Sequence, residues 1–188
     1  MSEQIEMILL EAGDKMTKAT EVAREDFATI RTGRANPAMF SKINVDYYGT
    51  LTPINQLASF QTPEARMILI TPYDKGASSA IEKALRESDL GINPSTDGAV
   101  IRVVLPQLTE ERRKEYIKLA RTKAEDSRVS MRNIRRHAKE ALDKLQKDGD
   151  AGEDDVRRAE KQLDEITHKS VEHIDEILKH KEAELLEV

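Results

Sequence analysis

Eleven basic residues crowd between Arg112 and Lys139 of this 188-residue chain, and their types and spacing suit the gripping of phosphate. They are Arg112, Arg113, Lys114, Lys118, Arg121, Lys123, Arg128, Arg132, Arg135, Arg136 and Lys139. Only three acids accompany them, Glu115, Glu125 and Asp126, a local balance of +8. Arg outnumbers Lys, and a planar guanidinium meets a phosphate with two parallel N–H donors where an ammonium offers a point charge. Arg121, Arg128 and Arg135 recur every seven residues, and Arg132 and Lys139 repeat the interval roughly 60° further round a helix. All five therefore share one flank. Like charges at i, i+3 and i+4 destabilise a helix, so a counter-charge is needed. An RNA or DNA backbone would supply it, with salt-dependent affinity. So would the chain itself, because Asp150 to Val188 holds thirteen acids and six Lys or Arg, a balance of −7. An acidic protein partner is a third candidate. The crowding of Arg128, Arg132, Arg135 and Arg136 favours the polyanion.

Other chemistry is missing. The chain has no cysteine, which removes disulfides, thiolate metal sites and a thiol nucleophile. It has neither a G-x-x-x-x-G-K-[ST] nor a G-x-G-x-x-G loop to cradle phosphate, and no H-E-x-x-H. His137, His168, His173 and His180 are its four histidines; the last two lie a heptad apart and read as a solvated face rather than a metal site. Tyr47-Tyr48 reads as strand packing, because no second aromatic cluster of the RNA-stacking kind accompanies it. Carboxylates of the middle segment find no His or Cys partner for hydrolysis. The expectation is a chain that is not an enzyme and takes no cofactor or metal. Met7-Ile8-Leu9-Leu10 is a short apolar run between acids, far from the ~18 residues of a membrane span. A cytoplasmic monomer with a net charge of −5 and no membrane partner is expected.

Punctuation residues divide the chain. All six prolines and five of the seven aromatics lie between positions 37 and 106. Proline costs ~3 kcal/mol inside a helix, so the flanking proline-free segments are free to form long ones. In the first, Ile5, Leu9, Ala12, Met16, Ala19, Ala23 and Ile30 form a heptad-like stripe. In the second, Thr109 is a helix cap, Glu110 and Glu111 favour the first turn, and Ile117, Ala120, Ala124, Ser127, Met131, Ile134, Ala138, Ala141 and Leu145 give a stripe ending near Lys147. After the turn at 148–152, Val156, Ala159, Leu163, Ile166, Ser170, Ile174, Ile177 or Leu178, and Leu185 mark a third, antiparallel helix. The middle reads as strands near Ile43–Tyr48, Leu57–Phe60, Met67–Thr71 and Val100–Leu105, with a helix near Ala77–Arg86 and a hairpin turn at Thr96-Asp97-Gly98. The fold class is α+β. Residues 1–30 and 107–188 are expected to form a long antiparallel three-helix bundle, and 31–106 an inserted small β/α/β domain. Two crossings join them, Arg31, Thr32, Gly33 and Arg34 on one side and Leu105, Pro106 and Gln107 on the other, and paired crossings read as a hinge.

The strings Arg31-Thr32-Gly33-Arg34-Ala35-Asn36-Pro37, Tyr47-Tyr48-Gly49-Thr50, Ser88-Asp89-Leu90-Gly91-Ile92-Asn93-Pro94, Leu108-Thr109-Glu110-Glu111-Arg112-Arg113-Lys114 and Arg132-Asn133-Ile134-Arg135-Arg136 occur in order at unbroken spacing. Together they resemble the bacterial ribosome recycling factor family over almost the whole chain. The resemblance implies an L-shaped, transfer-RNA-sized molecule. It implies action with elongation factor G and GTP, splitting the post-termination ribosome into subunits and releasing mRNA and deacylated tRNA. It also implies that the bundle binds large-subunit ribosomal RNA through the helix carrying Arg132 and Arg135, with Arg112, Arg113, Arg121, Arg128 and Arg136 on the same helix. The smaller domain would swing about the hinge to meet the elongation factor. The sequence departs from the family at His137-Ala138-Lys139, where an acid often follows the arginine pair.

Overall fold

A computed structural model describes residues 2–187. The described residues form four α-helices, α1 (Glu3–Ala28), α2 (Ser78–Arg86), α3 (Glu110–Lys147) and α4 (Glu153–Leu186). The six strands are β1 (Asn44–Tyr47), β2 (Thr50–Pro53), β3 (Ala58–Glu64), β4 (Met67–Pro72), β5 (Pro94–Asp97) and β6 (Val100–Val104). The architecture is α+β, and the chain divides into two compact units, Met1–Phe27 with Lys118–Glu182 and Ala28–Ile117 with Ala183–Val188.

The first unit is helical. Its inward faces carry Ile5, Leu9, Ala12, Met16, Thr20, Ala23 and Phe27 from α1, and Ala120, Ala124, Met131, Ala138 and Leu142 from α3. From α4 come Val156, Ala159, Leu163, Thr167, Ile174 and Lys181. Each pair of helices adjoins. Residues of α1 and α4 line one shallow groove, and residues of α1 and α3 line another. Ion pairs link α3 to α4. The expected stripe on α1 is corrected at two places. Thr20 rather than Ala19 faces inward, and Phe27, which the seven-residue step from Ala23 to Ile30 passed over, is one of the largest fully buried side chains. Thr20 is admissible there because its hydroxyl donates to the Met16 carbonyl at 2.9 Å; Thr167 repeats the device on Leu163 at 2.8 Å. A buried hydroxyl satisfied by its own helix costs far less than an orphaned one.

The second unit is built on a four-stranded antiparallel sheet in the order β3-β4-β6-β5, beside the β1–β2 hairpin. Ile68 and Ile70 of β4 and Ile101 and Val103 of β6 alternate inward and meet Ile81 and Leu85 of α2 in one core cluster with Met39, Phe40, Val45 and Ile54. Both edges tolerate proline: Pro94 opens edge strand β5, and Pro63 falls where the register of edge strand β3 slips. The expected single strand Ile43–Tyr48 is corrected to β1 plus a second strand, β2. Tyr48 (φ 49°) and Gly49 (φ 84°) form a two-residue turn with both central residues left-handed, the hairpin turn that matches strand twist. The Asp46 carboxylate accepts from the Gly49 N–H at 2.9 Å and closes it.

Phe40 is fully buried and stacks on Phe60 with ring centroids 5.9 Å apart. Phe40→Ala is expected to destabilise the second unit by about 3–5 kcal/mol, read by denaturant unfolding with a probe in that unit. A loss below ~1 kcal/mol would mean the cluster collapses around the gap.

Candidate nucleic-acid interface

The arginines stand on α3, whose start is fixed locally. The Thr109 hydroxyl accepts from the Arg112 N–H at 3.1 Å, and Glu110 and Glu111 occupy the first turn at the positive end of the dipole. Lys144 and Lys147 occupy the last turn. Nothing in the 38 residues interrupts the helix, so the seven-residue spacing of Arg121, Arg128 and Arg135 becomes a row with steps of about 10.5 Å that drifts about 20° round the helix at each step.

The row is answered by carboxylates. Arg121 Nε donates to Glu182 Oε1 at 2.8 Å. Arg128 donates to Asp175 Oδ1 from Nε at 2.8 Å and from Nη2 at 2.6 Å, and from Nη1 to Glu125 Oε2 at 3.2 Å. Arg132 Nη2 donates to Glu125 Oε1 at 2.6 Å, and Arg135 Nε to Asp164 Oδ1 at 2.6 Å. Partner numbers on α4 fall as those on α3 rise, so the helices run antiparallel. A signal for these pairs lies in the sequence. The turn joins Lys147 to Glu153, so an α3 residue i faces α4 near 300 − i, which places Arg128 within a turn of Asp175 and Arg135 within one of Asp164. Thus the row's own neighbours supply part of the counter-charge.

The pairs are solvated. Side-chain exposure is 66% for Arg121, 58% for Arg132, 37% for Arg135 and 23% for Arg128. Such pairs are worth ~0–1 kcal/mol each. The hydrogen bond to Asp175 raises the Arg128 pKa against a smaller opposing effect of burial. Glu125 is held below the ordinary glutamate range, chiefly by Arg132 and then by Arg128. Arg112 and Arg136 are exposed and form no ion pair among the described residues. Arg113 is half-buried with its Nε unpartnered.

The two crossings are brought together inside the second unit. Arg31 is 5% exposed; its Nη1 donates to the Leu90 carbonyl at 3.3 Å and its Nη2 to the Pro106 carbonyl, while its Nε has no partner. Burial lowers its pKa, the charge of Arg112 adds to this, and Tyr116 opposes it. Thr32 is buried and closes a small loop on Arg34. The Ala35 N–H donates to the Ala65 carbonyl at 2.6 Å and the Leu105 N–H to the Arg66 carbonyl at 2.7 Å, so the β3–β4 turn anchors both crossings.

Comparison with known proteins decides the family. The model of the ribosome recycling factor family matches residues 23–186. The ribosome-recycling factor of Acidothermus cellulolyticus is 73% identical over 184 residues, 98% of this chain and 100% of the relative. That of Kineococcus radiotolerans is 70% identical over the same shares. The chain belongs to the ribosome recycling factor family. A solution structure of the ribosome recycling factor superposes with a TM-score of 0.78 at 41% identity, covering 100% of both chains. A second solved relative, with a TM-score of 0.69 at 41% identity over 97% of this chain and 99% of its own, belongs to models for the T. thermophilus ribosome recycling factor and the E. coli elongation factor G bound to the E. coli post-termination complex.

In this recycling-factor fold, sequence reading passed over one polar node. Tyr47 donates its hydroxyl to Asp74 Oδ2 at 2.7 Å, and Asp74 Oδ1 accepts from the Gly76 N–H at 2.9 Å. The tyrosine bond is the main cause that lowers the Asp74 pKa and raises that of Tyr47. The two residues are 27 positions apart, so local sequence does not display the bond. Among the described residues no cluster of His, Asp or Glu side chains could hold a metal ion, and no helix is long and apolar enough to cross a membrane.

A depressed carboxyl pKa contributes stability above the unfolded-state value, ~4.3 for glutamate, and loses it as pH falls through the folded value. Glu125 is therefore expected to titrate below the ordinary range in a carboxyl-detected NMR experiment and to move back toward it in Arg132→Ala. An ordinary midpoint in the wild-type protein would mean the pairs are not populated in solution.

Proposed function

We propose that this chain recycles ribosomes after termination. With elongation factor G and GTP it splits the post-termination ribosome into subunits, releasing mRNA and deacylated tRNA, and it does so without catalysing a reaction itself. Family membership supports the role, and the relative solved with elongation factor G on a post-termination complex supports the partners. The contact to the ribosome is assigned to large-subunit ribosomal RNA along the basic side of α3, through Arg128, Arg132 and Arg135, with Arg112, Arg113, Arg121 and Arg136. The observation that carries this assignment is the solvated arginine row with Arg132 beside it, held by weak pairs that leave guanidinium donors open to phosphate oxygens.

In this reading the work is mechanical. Residues 1–30 and 107–188 act as a bundle about 57 Å along α3, and the small domain, 31–106, is driven by the GTPase. Arg31–Arg34 and Leu105–Gln107 serve as a paired hinge, with Arg31 tying one crossing to the other so that they move together.

The direct test is sedimentation of purified post-termination ribosomes with this protein, elongation factor G and GTP, each omitted in turn. Subunits are expected only when all three are present; splitting without the protein would remove the role. Arg135→Ala is expected to weaken binding to purified large subunits and to reduce the slope of log affinity against log salt by about one unit. Wild-type affinity with an unaltered slope would remove Arg135 from the contact. Gly33→Pro is expected to lower splitting more than binding; equal loss of both would give the residue a role in folding or docking.

A further inference from the structure

The ion pairs leave an uneven account of donors. A guanidinium carries five N–H donors. Arg121 and Arg135 each spend only the Nε–H on α4, and Arg132 engages a single Nη2 contact. Among the described residues the remaining donors of these three side chains make no hydrogen bond. Arg128, the least exposed of the row, is held by all three nitrogens. The carboxylates therefore grip the inner edge of the guanidiniums and leave the outer fork of Arg121 and Arg135 open, at fixed positions along α3.

Resting on the RNA-binding reading above, we infer that Asp164, Asp175, Glu182 and Glu125 are specificity-determining residues of the arginine row, selecting a folded RNA surface over loose polyanions. Two effects act together. Each carboxylate restricts a long side chain to one orientation, so a phosphate arriving at the open fork finds the donors already placed. Each carboxylate also stands beside that fork and repels any anion that does not engage it well. A flexible polyanion, touching few forks at a time, meets the repulsion without the full set of bonds. A surface whose phosphates match the row gains enough bonds to outweigh it. The chain is thereby kept off the many RNA backbones that +8 of local charge would otherwise collect.

The test uses the full chain and two ligands, polyuridylate and purified large ribosomal subunits, at one salt concentration. Asp164→Asn/Asp175→Asn removes two charges that touch the row. Glu165→Gln/Glu176→Gln removes two charges one position along, from exposed side chains that form no ion pair among the described residues. The first variant is expected to bind polyuridylate about fivefold more tightly and large subunits within about twofold of wild type, since each exposed pair is weak. The second is expected to stay within about twofold on both ligands. An equal gain in the two variants would reduce the effect to net charge and overturn the proposal, as would an unchanged affinity for polyuridylate. Glu125→Gln, a single change on the exposed side of α3, is the check should the double variant lose helicity, with a gain on polyuridylate expected and no gain overturning. Arg135→Ala run alongside separates the two levels. Undiminished large-subunit binding there defeats the RNA-face reading itself, whereas loss there with no gain in the Asn variants defeats only the selecting role.

Discussion

Opposite charge along one edge and apolar packing along the other govern how α3 and α4 lie together. The two contributions differ in size and in kind. Burying a side chain such as Leu142, Met131 or Leu163 stabilises by about 1.5–3 kcal/mol, whereas a solvated ion pair contributes ~0–1 kcal/mol. The seam therefore holds the helices together and the pairs do not. What the pairs add is registration of side chains. Three of them, Arg121–Glu182, Arg128–Asp175 and Arg135–Asp164, follow the same antiparallel sense, so the arginine heads are fixed by the same turn that fixes the helices.

The second unit reaches order by different means. Its strands are four to seven residues long, and its turns carry much of the specification. Tyr48 accepts a left-handed backbone that a bulky residue avoids, and its ring meets Tyr47 edge to face at 4.6 Å. Tyr47 in turn donates to Asp74, which caps the short turn leading into α2. One hairpin tip is thus linked to the start of the helix that covers the sheet. Arg31 plays a comparable part at the crossings, where its guanidinium reaches carbonyls 59 and 75 positions away.

Legibility followed the range of the forces. The long helices could be read from Ile5, Leu9, Ala12 and Met16, or from Ala120, Ala124, Met131 and Ala138, because a 3.6-residue period is written in adjacent turns. The cap at Thr109 and the turn at Gly98 were local as well. β2 escaped because Tyr48 looks like the end of a strand, and only its partner Gly49 reveals a turn. Thr20 escaped because hydroxyl burial depends on a backbone acceptor that composition does not display. The arginine row was visible, but its state was not. Whether Arg128 meets Asp175 or water depends on where the 148–152 turn sets the register of two helices.

Local charge, rather than the net value of −5, decides what can approach α3. At physiological ionic strength the Debye length is about 8 Å, so acids on remote surfaces are largely screened from a ligand on this flank. Carboxylates in hydrogen-bond contact with the arginines are not. Asp164 and Asp175 touch the guanidiniums at 2.6 Å, and Glu182 at 2.8 Å. The acids in contact with the arginines therefore shape the potential on this flank more than the remainder of the chain's negative charge does.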